Sequence, residues 1–87
     1  MTFTSKLLGN IDLSLLVTFQ MVLAEKNATK AAQKLGLTQG AVSKQISKLE
    51  RITGLELFLR KNNGLQPTAS ADELGDAVHT ALGALLG

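Results

Sequence analysis

The sequence predicts a mainly α domain of three helices, a two-stranded β-hairpin and a longer closing helix. Three observations predict it. Apolar residues recur every three or four positions between residues 13 and 53, and again beyond residue 70. Gly36 and Gly54 stand where periodic stretches stop, as left-handed helix caps require. Asn63-Gly64 lies between two short apolar runs, which is the strongest short-range hairpin signal.

Each element follows in order. Residues 1–10 carry no periodicity and are expected to form an arm. Asp12 offers an N-cap, and Leu13, Leu16, Phe19, Val22 and Leu23 follow at helical spacing to about Lys26. Leu15, Val17 and Met21 add apolar character that a second buried face would explain. Asn27 is the expected N-cap of a second helix, Ala28 to Leu35, with Leu37 packing back behind Gly36. Thr38 caps a third helix from Gln39, whose Val42, Ile46, Leu49 and Thr53 share one side. Gly40, Ser43, Lys44, Ser47, Lys48 and Arg51 share the other.

Two extended runs come next, Leu57 to Arg60 and Leu65 to Thr68, joined by Lys61-Asn62-Asn63-Gly64. Pro67 restricts the second to an edge strand. From Ser70 the helical pattern returns, with Asp72 and Glu73 in the first turn where the helix dipole favours acids. Leu74, Val78, Ala81, Leu82 and Leu85 form a narrow stripe along it. Gly75 and Gly83 each weaken an isolated helix by about 1 kcal/mol, so this helix needs a partner surface.

Composition narrows the function classes. At 87 residues the chain is a single domain at most, and its hydrophobic share of 45% suffices for a core of aliphatic side chains and alanine. It has no cysteine, which removes disulfides, thiolate metal sites and cysteine nucleophiles together. No cofactor or metal is expected. No stretch is long and apolar enough for a membrane span or a secretory signal, and the cytoplasm is the expected compartment.

The net charge of +2 conceals a strong asymmetry. Between Lys26 and Lys61 stand Lys26, Lys30, Lys34, Lys44, Lys48, Arg51, Arg60 and Lys61 against Glu50 and Glu56, a local balance of +6. The remainder holds Lys6 against Asp12, Glu25, Asp72, Glu73 and Asp76, or −4. A basic centre with acidic flanks points to a polyanionic partner, although charge alone would favour a solvated, lysine-rich surface.

The chemistry of residues 27–50 decides between the two. Ala31, Ala32, Ala41 and Val42 are small enough to press two helices close, as a helix–turn–helix needs. The second helix then presents Gln39, Gly40 and Ser43 at its N-terminal end, short groups suited to base edges in a major groove, with Lys44 where it can reach a guanine edge or a phosphate. Lys48 and Arg51, further along, suit phosphates. So do Asn27, Thr29 and Lys30 at the start of the preceding helix, and Thr38 at the turn, beside free N–H groups and a positive dipole end. Arg60, Lys61, Asn62, Asn63 and Gly64 make a basic hairpin tip suited to backbone or minor groove.

Other classes fit less well. The single His79 has no titratable neighbour to work with, and adjacent Ser43 and Lys44 do not face each other on a helix, so an enzyme is not expected. Single-stranded RNA recognition uses stacking aromatics, but Phe3, Phe19 and Phe58 read as arm or core. A helical dimerisation or protein-interaction module with non-specific polyanion binding is the alternative. The Leu74–Leu85 stripe supports it, and exposed Gln39, Ser43 and Ser47 oppose it.

With these residues in view, Ile11 to Leu86 resembles the DNA-binding region of LysR-type transcriptional regulators of bacteria. The resemblance is carried by Asp12-Leu13 with Leu16 and Phe19, Ala31-Ala32 with Leu35, Leu37-Thr38-Gln39 and Ala41 to Ile46. Leu49-Glu50, Leu57-Phe58 with Arg60, and Pro67-Thr68 complete it. The run from Gly64 to Leu74 resembles the branch of LeuO and the nodulation activators.

The resemblance implies a winged helix–turn–helix over residues 11–68 and a linker helix over 70–87 that is cut short. It further implies pairing of two subunits through Leu74, Val78, Ala81, Leu82 and Leu85, and a small-molecule-sensing domain beyond this sequence. It implies a cytoplasmic, nucleoid-associated homodimer, or a tetramer at full length, on interrupted inverted repeats of double-stranded DNA. Gln39, Gly40, Ser43 and Lys44 fall on base-reading positions. Asn27, Thr29 and Lys30 fall on the phosphate-contacting helix start, and Arg60 on the wing. Four positions depart from the pattern: Gly40 for Pro or Ser, Lys44 for Arg, Ala28 for a larger apolar residue and Ala71 for Gly. Lysine at 44 lacks the planar fork that arginine offers a guanine.

Overall fold

The computed structural model describes residues 11–62 and 64–86, with side chains through Gly83. Its elements are α1 (Leu13–Glu25), α2 (Ala28–Leu35), α3 (Gln39–Thr53), β1 (Phe58–Lys61), β2 (Gly64–Pro67) and α4 (Ala69–Leu86). The expected order of helices and hairpin is therefore the observed one. Helices α1, α2 and α3 pack on one another, α4 crosses α1, and the hairpin stands against the start of α4.

Local chemistry sets most boundaries. The Asn27 side chain accepts the Lys30 N–H (2.9 Å) and the Thr38 hydroxyl accepts the Ala41 N–H (3.1 Å), so both caps act as expected. Gly36 and Gly54 close α2 and α3 with φ of +69°. Behind Gly36 the Leu37 N–H donates to the Ala32 carbonyl (2.9 Å). Asp12 differs: it holds the N-cap position of α1 without a side-chain cap bond, and only its carbonyl serves the helix.

The core runs through α1. Phe19 and Val22 are fully buried, and Ala31, Val42, Leu49, Leu57, Ala71 and Leu74 close around them. Phe19 also meets Phe58 of β1, ring centroids 5.8 Å apart at a 52° tilt, which ties the hairpin to the helical core. The buried face of α1 is Leu15, Thr18, Phe19 and Val22. Leu13, expected in the core, is 60% exposed, while Leu15 on the neighbouring stripe is 4% exposed. Both stripes satisfy helical spacing, and contact with α3 and α4 selects between them.

The hairpin also differs in detail. The strands pair as Phe58↔Pro67, Leu59↔Gln66, Arg60↔Leu65 and Lys61↔Gly64, one residue later in β1 than expected. Leu57 is excluded from β1 because its N–H donates to the Glu50 carboxylate of α3 (2.9 Å). Thr68, expected at the end of the second strand, caps α4 instead: its hydroxyl accepts the Ala71 N–H (3.1 Å) and its own N–H donates to the Leu57 carbonyl (2.9 Å). Helix α4 consequently starts at Ala69 rather than Ser70.

One non-local joint orients the hairpin. Lys26, the C-cap of α1, has φ +54°, and its carbonyl oxygen accepts the Leu65 N–H (2.9 Å). Gly64 lies against the same carbonyl with φ +136°. A Cβ there would stand 2.5 Å from the Lys26 oxygen. Gly64 is therefore required twice, by backbone angle and by space.

Gly64→Ala is expected to lower stability by about 1–3 kcal/mol and to loosen the hairpin before the helices. Urea denaturation read beside amide exchange at Leu65 checks this. Protection of Leu65 equal to the parent's would contradict it.

Candidate nucleic-acid interface

The apolar face of α3 is used entirely on the core: Val42 and Leu49 are fully buried and Ile46 is 8% exposed. The residues between them are thereby turned outward. Gln39, Gly40, Ser43, Lys44, Ser47, Lys48 and Arg51 are all exposed. No heavy atom outside the helix backbone lies within 4 Å of a Cβ built at Gly40, so that turn of α3 is open to a close approach.

Helix α2 is held beside α3 through buried Ala31 and Ala32. This places Asn27 and Thr29, at the start of α2, on the same side as the N-terminal half of α3. The hairpin completes the arrangement. Asn27, Thr29, Gln39, Ser43, Arg60, Lys61 and Asn62 line one groove of about 260 Å³, and no carboxylate lines it. Thr38, Lys30, Lys44, Lys48 and Arg51 lie outside that groove. Thr38, Lys30, Lys44 and Lys48 are exposed, and Arg51 stands with Glu50 and Glu56 at the far end of α3. Asn63 lies outside the described residues.

Electrostatically the surface is one-sided. Among the described residues the one ion pair joins Lys34 to Glu25 (2.8 Å), which withdraws Lys34 from the basic block. The other cations of the block are left without carboxylate partners at ion-pair distance. Among those residues no cluster of three or more His, Cys, Asp or Glu could hold a metal ion.

Two contacts not evident from the sequence hold α3 in place. The buried Thr18 hydroxyl of α1 donates to the Gln45 side-chain oxygen. Glu50 accepts the Leu57 N–H and couples the end of α3 to the hairpin. Thr18 sits on the buried stripe of α1, so its spacing was a usable signal; the Glu50 contact had none. Adjoining the groove is a partly open pocket of about 140 Å³ lined by Val22, Ala28, Val42, Ile46, Phe58 and Leu65 together with Ser43, Ser47, Glu50 and Arg60. Ala28, noted above as unusually small, is one of its lining residues.

The stripe assigned to subunit pairing divides. Leu74 is fully buried and Val78 is 2% exposed within this chain's own core, against α1. Their area is already used, which corrects their assignment to a partner-facing surface. Leu82 is half-buried on the same core and Ala81 is exposed, whereas the Leu85 side chain lies outside those described.

Comparison with known proteins agrees with this geometry. Residues 13–72 match the model of the bacterial regulatory helix-turn-helix protein, lysR family. The chain belongs to that family. Its sequence is 44% identical over 72 residues to the HTH-type transcriptional regulator LeuO of Escherichia coli (strain K12), covering 83% of this chain and 23% of LeuO. Among solved structures, the probable transcriptional regulator PA0477 from Pseudomonas aeruginosa superposes with a TM-score of 0.83 at 39% identity, over 92% of this chain and 27% of that one. The BenM DNA-binding domain, solved on its catB site 1 DNA, superposes with a TM-score of 0.80 at 30% identity, over 85% of this chain and 83% of that one. This lysR-family chain spans about a quarter of the length of the curated relatives it matches.

Two substitutions test the packing beneath the interface. Ala28→Leu should fill the pocket and raise stability by about 1 kcal/mol, given about 0.8 kcal/mol per buried CH₂ and some loss to imperfect fit. Asn27→Ala should cost about 1 kcal/mol through the lost cap. Thermal unfolding of both variants beside the parent reads the two signs directly.

Proposed function

We infer that this chain is the DNA-recognition domain of a bacterial transcriptional regulator and binds double-stranded DNA in a sequence-specific way. The observation that carries this is the single groove where the α2 start, the N-terminal half of α3 and the basic hairpin converge without a carboxylate. Helix α3 enters the major groove, where Gln39, Gly40, Ser43 and Lys44 meet base edges. Gln39 offers a donor and an acceptor to adenine, Ser43 adapts to either, and Gly40 admits the backbone closely. Asn27, Thr29, Lys30 and Thr38 grip phosphates at the α2 start and the turn before α3. Lys48, Arg51, Arg60, Lys61 and Asn63 grip them along α3 and at the wing.

The functional unit is a homodimer on an interrupted inverted repeat. Residues 11–68 recognise DNA, and residues 70–87 belong to a linker helix that pairs subunits through its exposed side beyond Val78, Ala81 included. The surrounding protein is longer, as the length of the relatives supports, and on this reading it is cytoplasmic and carries a small-molecule-sensing domain. No step requires chemistry beyond binding, so the chain acts without a catalytic residue.

Two measurements test this. Affinity for any duplex should fall linearly on a log–log salt plot, and selection from a random duplex library should return one inverted repeat. Equal affinity for selected and random DNA would reduce the protein to a general polyanion binder. Ser43→Ala and Lys44→Ala should change which bases are preferred, each by about 1–3 kcal/mol of discrimination. Lys30→Ala should weaken all duplexes alike and flatten the salt slope by about one unit.

A further inference from the structure

Lys26 belongs to the basic block, yet only its backbone takes part in the contacts described above, and its ammonium in none of them. It is the one non-glycine residue with a positive φ among those described, at φ +54° and ψ +31°. A side chain disfavours that conformation and glycine accepts it freely. The position nevertheless carries a lysine. Its backbone lies at the joint between two elements of the interface. Residue 27, next in sequence, caps α2 at the phosphate-facing helix start, and the Lys26 carbonyl accepts the Leu65 N–H of the hairpin. The side chain is exposed, and among the described residues no carboxylate pairs with it. An unpaired cation on a rigid, strained joint between two basic elements is placed to meet the polyanion both elements face. Strained backbone is retained where function uses it.

We propose that Lys26 is an additional phosphate-contacting residue, bridging the α2 start and the wing along one strand of the DNA backbone. The proposal rests on the DNA-binding reading above and adds one contact to it. The contact is electrostatic and carries no base preference.

The charge can be removed without disturbing the joint. Lys26→Gly keeps the carbonyl that holds Leu65 and relieves the left-handed strain, so the fold is retained and a lowered unfolding midpoint is not expected. Binding of the parent, Lys26→Gly and Lys26→Arg to a random-sequence duplex is measured across a salt series. Lys34→Ala serves as a control, since its ammonium is engaged by Glu25. The expected result is a slope of log affinity against log salt that is shallower by about 0.9 for Lys26→Gly. Lys26→Arg should retain the parent slope, and the selected base sequence should be the same in all variants. A Lys26→Gly slope equal to the parent's overturns the proposal while leaving duplex binding intact. A parent that binds no duplex overturns the DNA-binding reading itself, and this contact with it.

Discussion

Burial of the Val42, Ile46 and Leu49 face of α3 against Phe19 and Val22 of α1 is the constraint on which the rest of the molecule depends. A helix with one apolar side has one free rotation about its axis, and this contact removes it. Once those three residues point inward, helical geometry sends Gln39, Gly40, Ser43 and Lys44 outward with no further choice. The alanines of α2 let that helix lie close enough to share the core. The exposed polar surface of α3 is thus the complement of its core surface, written on the same fifteen residues.

A second constraint sets how the surface is framed. The hairpin has little core of its own and takes its position from three points: Phe58 on Phe19, the Leu57 amide on Glu50, and the Leu65 amide on the Lys26 carbonyl. These lie on three different elements, α1, α3 and the turn between α1 and α2. A hairpin fixed at three points moves with the helices as one body, so the distance between the wing cations and the α2 start is a property of the fold. The BenM DNA-binding domain, solved on DNA, superposes on this chain and shares its architecture.

Legibility followed the range of the interaction. Caps at Asn27 and Thr38 bond within three residues, and both were readable. The left-handed turns at Gly36 and Gly54 were readable for the same reason. The hairpin was found but placed one residue early in β1, because a carboxylate seven positions away claims the Leu57 amide. Leu13 and Leu15 both satisfied the helical pattern, and only the neighbouring helices distinguish the 60% exposed residue from the 4% exposed one. Leu74 and Val78 show the same ambiguity at larger scale. A leucine stripe reads identically whether it packs on its own chain or on a second one.

By itself the sequence determined the element order, the ends of α2 and α3, the hairpin turn, the two-sided character of α3 and the basic centre with acidic flanks. These are local: they follow from backbone bonds over a few residues, or from side-chain periodicity along one helix. Tertiary structure alone decided which stripe of α1 is buried, that Leu74 and Val78 belong to this chain's core, and that Lys26 anchors the wing. It also decided which of the polar residues share a groove. Those outcomes rest on contacts between elements far apart in sequence, where a period of 3.6 residues says which side chains share a face but not which face meets a neighbour.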